Sequence, residues 1–138
     1  YPVQKPVGKH ARFVNITILA SFIDEKLSMA VADSLRDVFH TEDIRLVAAA
    51  ALRHSALRAI FPLEREYLMI DVAGESVVTA LVRGGSLAMV EHGTAEISAK
   101  SKDQWLETLK KTFEAITKRY PLPRKIFLIA PESDRAVF

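Results

Sequence analysis

The sequence predicts an α/β domain in which helices pack on the faces of a mixed sheet. Three observations predict it. Short β-rich runs alternate with segments whose apolar residues recur every three or four positions, the two periods of strand and helix. Most of the predicted strands are separated by a helix, which favours parallel pairing. Gly84-Gly85 stands directly between two β-rich runs and marks an antiparallel hairpin, because the tight turns that join such strands need positive φ. The predicted order is β-α-β-α-β-β-β-α-β.

Residues 1–11 (YPVQKPVGKHA) hold two prolines, a glycine and several cationic groups, and read as a linker or tail. Residues 12–138 are expected to form a single domain. Residues 12–21 (RFVNITILAS) alternate and predict a strand, with Val14, Ile16 and Ile18 on its drier face. Residues 24–39 predict a helix. Asp24 is its cap, and Leu27, Ala30, Val31, Leu35 and Val38 are its apolar stripe. Residues 44–50 (IRLVAAA) read as a short buried strand, and residues 51–61 as a short helix stopped before Pro62.

Residues 66–72 predict a strand that is apolar on both faces, as a central strand is. Strands at 75–83 and over SLAMVEH follow. Ser101-Lys102-Asp103-Gln104 fits a capping box for a helix carrying Trp105, Leu106, Leu109, Phe113 and Ile116, which ends near Tyr120-Pro121. KIFLIA, residues 125–130, predicts a last buried strand, ended by Pro131.

The chain has 138 residues, 49% hydrophobic and 26% charged. That is enough for one domain with a core of its own. A net charge of +2, with Lys and Arg spread along the chain, argues against nucleic acid as a partner. There is no cysteine, so disulfides and thiolate metal sites are excluded; a reducing cytosol is compatible with this. No apolar run reaches the ~20 residues of a membrane span. The chain starts at Tyr1 rather than Met, so a piece of a longer protein is the expectation.

Residues 68–85, LMIDVAGESVVTALVRGG, are the most informative stretch. An apolar strand reaches Asp71, and a small turn follows before the next strand. Asp71 is either the cap of a plain turn or a ligand-facing carboxylate. Strand, Asp, short turn and hairpin together resemble the second phosphate-binding segment of the actin-like ATPase superfamily, usually Asp-x-Gly-Gly-x-Ser/Thr. Here it stands as Asp71-Val72-Ala73-Gly74-Glu75-Ser76. The Ala and Glu bring it closest to the bacterial branch of the pilus assembly protein PilM and the division protein FtsA. The flanking segments resemble that branch in pattern and order, over about residues 12–130 in all.

The resemblance implies a ribonuclease-H-like half-domain. It implies Asp71 as the carboxylate that meets magnesium through water, and Gly74, Glu75 and Ser76 as a phosphate turn for ATP. Magnesium keeps most of its waters and takes one or two carboxylates, and small residues let backbone N–H groups approach phosphate. Four departures accompany it, one being Ala73 in place of a usual Gly. There is no earlier Asp-x-Gly phosphate segment, no Gly-Gly turn after KIFLIA, and Glu75 adds an acid where phosphates would sit.

The implied role is a degenerate, non-catalytic scaffold of pilus or cell-division type. It would be cytoplasmic, peripheral at the inner membrane face, with other proteins of a membrane-associated assembly as partners. Exposed sheet edges make a homodimer a further expectation. The alternatives are part of an active ATPase or kinase of the same superfamily, and a protein-interaction module using only the fold. Elsewhere the plain readings lead. His54 is a solvated or half-buried side chain, and His10, His40 and His92 lack metal-ligand spacing. Trp105 is a core anchor, and Phe22 and Phe39 are either core or a partner surface.

Overall fold

The computed structural model describes Gly8, His10, Arg12 and residues 18–73, 76–94 and 102–132, with side chains of the last segment described from Trp105 on. Among these residues the order is α1 (Glu25–Phe39), α2 (Ala49–Ile60), β1 (Tyr67–Ala73), β2 (Ser76–Arg83), β3 (Ser86–Thr94), α3 (Lys102–Thr117) and β4 (Ile126–Ile129). The class is α/β with a mixed sheet, as predicted. The four strands run in the order β3-β2-β1-β4. The meander β1-β2-β3 is antiparallel, and β4 lies parallel beside β1.

Two predicted strands are not in this sheet. Of residues 12–21 only Arg12 and 18–21 are described, and 18–21 are not in a strand; the rest of that prediction lies outside the described residues. The strand predicted at 44–50 is corrected: residues 43–48 are irregular and Ala49 already begins α2. Alanine is the strongest helix former, so the run from Ala48 extends the helix backwards and leaves Ile-Arg-Leu-Val too short for a strand. Leu46 and Val47 are exposed as a result.

α1 forms as its sequence dictates. The Asp24 carboxylate accepts from the Leu27 N–H at 3.0 Å. At the other end His40 adopts a left-handed conformation and donates its N–H to the Arg36 carbonyl at 2.8 Å. Its apolar stripe is present, yet no residue of α1 is buried.

The sheet is built by local rules. Gly84 and Gly85 both have positive φ, 60° and 79°. They form the two-residue turn joining Arg83 to Ser86. β3 carries one extra residue, Ala88: Leu81 pairs with Met89, but Val82 pairs with Leu87. β1 is buried from Tyr67 to Val72, as a central strand should be.

Alternation divides the sheet's two faces. Leu68, Ile70, Val72, Val77, Leu81 and Met89 meet Leu109 and Ile116 of α3. Trp105 and Phe113 pack against the same cluster, whereas Leu106 turns outward. Thr112 is buried in this helix face instead and meets the Thr79 hydroxyl at 3.0 Å. Because Thr112 already donates to the Leu109 carbonyl, Thr79 is the donor in that pair. The opposite face gathers Tyr67, Met69, Ala80 and Val82, with Leu57 of α2 and Phe127 and Ile129 of β4. Phe127 lies edge-on to Tyr67 and stacks on Phe61, at centroid distances of 5.0 and 4.9 Å.

Candidate functional site

Asp71 belongs to the face that α2 covers. It lies inside β1, two residues before its end, opposite Val78 of β2 and Ile129 of β4. The predicted position at a strand's end, next to the turn, is therefore two residues off. Ser76 begins β2 on the same face, a diagonal neighbour of Asp71 across the ladder. Gly74 and Glu75, the other two residues of the expected phosphate turn, lie outside the described residues.

The carboxylate of Asp71 is 2% exposed. One oxygen is paired with the guanidinium of Arg53, which reaches down from α2. The other oxygen, Oδ1, meets no hydrogen-bond donor among the described residues. A buried carboxylate without a counter-charge is strongly disfavoured, and Arg53 supplies that counter-charge to Asp71.

His54, the next residue of α2, is buried too, not solvated or half-buried as expected. Its Nδ1 lies 2.9 Å from the Tyr67 hydroxyl. Burial lowers the imidazole's proton affinity, the Arg58 charge lowers it further, and a hydrogen bond with the Gly85 backbone opposes both. The contact at Nδ1 joins the imidazole and the phenol directly, with the roles of donor and acceptor set by the ring's tautomer. Burial likewise pushes the Tyr67 phenol upward. Two consecutive α2 residues thus reach two positions of β1, 53 to 71 and 54 to 67.

A hydrated magnesium ion needs a carboxylate edge that faces water. Asp71 presents one oxygen to Arg53 and keeps the other beneath the surface, so the described residues do not fit that ion as they stand. Among the described residues no group of three His, Asp or Glu side chains is gathered for a metal. None of the described helices is long and apolar enough to cross a membrane.

The sequence singled out Asp71 and Ser76 but missed Arg53 and Tyr67, and it read His54 as solvated or half-buried. The available signal was Arg53-His54 on a short helix otherwise rich in alanine, ahead of a strand bearing Tyr67 and Asp71 at a spacing of four. No family model matches this chain, and no curated protein matches it.

Proposed function

We propose that this chain is an actin-like ATPase-type domain of the pilus-assembly and cell-division kind that keeps the fold as a scaffold without working as an ATPase. The observation that carries the reading is the Arg53–Asp71 pair. At the position where the resemblance expects a carboxylate turned to hydrated magnesium, the charge is neutralised from within. The mixed sheet, with a meander on one side of β1 and a helical crossover bringing β4 to the other, supports the finer ribonuclease-H-like reading. The scaffold would act at the cytoplasmic face of a bacterial membrane and hold other proteins of that assembly.

The second reading is part of an active ATPase. It is favoured by the buried Asp71 Oδ1 that meets no donor among the described residues. It requires Arg53 to give way before ATP and magnesium could engage.

Calorimetric titration of ATP with magnesium into the chain, with Asp71→Asn alongside, tests the choice. The scaffold reading expects no saturable heat from either protein. Saturable binding that Asp71→Asn abolishes overturns it in favour of the ATPase.

A further inference from the structure

The two faces of the sheet hold their helices by different chemistry. On one face Leu109 and Ile116 of α3 are buried in an apolar cluster with no titratable group, and Thr112 meets Thr79 through two hydroxyls. On the other face His54 is the only residue of α2 that is buried. Ala50 and Leu57 are partly buried beside the sheet, and the remaining joints are polar: His54 with Tyr67 at 2.9 Å, and Arg53 with Asp71. Irregular segments flank the helix at 40–48 and 61–66, so it can move without breaking a strand. Just past its end, Phe61 stacks on Phe127 and tethers it.

The surroundings of His54 suit a neutral ring and not a charged one. The residue is 8% exposed, and α2 carries Arg53 and Arg58 but no acid. From β1 it faces Tyr67, a phenol that burial keeps neutral past its ordinary pKa. Asp71 lies four residues further along β1, about 13 Å at ~3.3 Å per residue, and is taken by Arg53. The turn between β2 and β3 offers only the Gly85 backbone. Around Tyr67, β2, β3 and β4 contribute Ala80, Val82, Leu87 and Phe127, none of them titratable. In the segment before β1, Glu64 is paired with Lys125, and Arg65 and Glu66 are exposed. Among the described residues no carboxylate pairs with His54. A proton on this ring therefore adds a buried charge beside Arg58 with no counter-charge to meet it.

We infer that α2 is an acid-released cover: protonation of His54 lifts the helix from the sheet and uncovers Tyr67, Met69 and Ala80, while the four strands and α3 stay folded. The released ring regains water and moves away from the apolar cluster, so the open form binds the proton that the closed form resists. The opening is local because the α3 face holds no group that titrates in this range. It is also cheap, since α2 gives up one buried side chain and two partly buried ones. Nothing in the switch involves nucleotide, so it stands or falls apart from the scaffold reading.

Hydrogen exchange read by mass spectrometry at pH 7 and pH 5, corrected for the intrinsic pH dependence of exchange, compares both helices in one molecule. Amides of α2 should lose protection at pH 5 by up to about 25-fold, the limit for a group of ordinary pKa 6.5 that is protonated only in the open form. Amides of α3 should lose far less. His54→Gln should remove the difference between the two pH values in α2. Arg58→Gln, at an exposed position, relieves the like charge in the closed form and should shrink the loss without abolishing it. If His54→Gln already opens α2 at pH 7, Arg58→Gln decides. Equal losses in α2 and α3 overturn the inference in favour of global unfolding. Unchanged α2 protection between the two pH values overturns it as well, as does an α2 loss that Arg58→Gln leaves undiminished.

Discussion

Arg53 and Asp71 stand eighteen positions apart in the chain and meet beneath α2. Removing the cation is the more damaging change, because it leaves a carboxylate 2% exposed with no counter-charge. Arg53→Ala should cost about 2–3 kcal/mol, at or below the low end for breaking a buried pair because the Arg53 side chain is itself 33% exposed. Arg53→Met with Asp71→Leu should recover most of that, since replacing both partners by apolar groups leaves nothing stranded. Urea unfolding of the two variants checks it; a double variant no more stable than Arg53→Ala contradicts it. Asp71 was legible in the sequence because a lone acid in an apolar strand is conspicuous. Arg53 was not, since exposed and inward arginines look alike until the helix is placed on the sheet. His54 was misread for the same reason: α2 has little apolar pattern to declare which side faces inward.

At the scale of elements, α3 lies close against β3 because Gly93 has no side chain. A Cβ there would stand 2.3 Å from Cγ2 of Thr108. Thr108 also donates to the Thr94 carbonyl at 3.3 Å, so turning that methyl away disturbs a contact between helix and strand. Gly93→Ala should destabilise by about 1–3 kcal/mol, and adding Thr108→Ser, which deletes the methyl but keeps the hydroxyl, should restore much of the loss. Thermal unfolding of single and double variants decides this, and strict additivity would refute it. The meander and its Gly-Gly turn could be read from sequence because period-two alternation and positive-φ residues act locally. Residues 44–50 could not, since a short apolar run suits strand or helix equally and the following alanines settled it. The α1 stripe was read correctly as a pattern, but among the described residues none of it is buried.

For the whole molecule, the polar joints between α2 and the sheet make stability depend on pH in a defined direction. The folded state holds His54 with a pKa below its ordinary 6.5. Its contribution is fully present above 6.5 and is lost as pH falls through the lower folded value, because the unfolded chain then binds a proton that the folded chain resists. Tyr67 has the opposite sign: its pKa lies above 10.0, so its contribution is lost as pH rises past that value. The urea midpoint should therefore fall between about pH 7 and about pH 5, and His54→Gln should flatten that part of the curve. An equally steep acid limb in His54→Gln would assign the loss to other groups.

The extra residue at Ala88 bears on what the β3 edge can accept. A bulge bends its strand and sharpens its twist, which spoils an edge as a template for further pairing. Among the described residues β3 bounds the sheet on the side away from β4, so the bulge turns that edge away from an incoming strand. A strand arriving at β3 meets a kinked run of donors and acceptors and finds no straight ladder to copy.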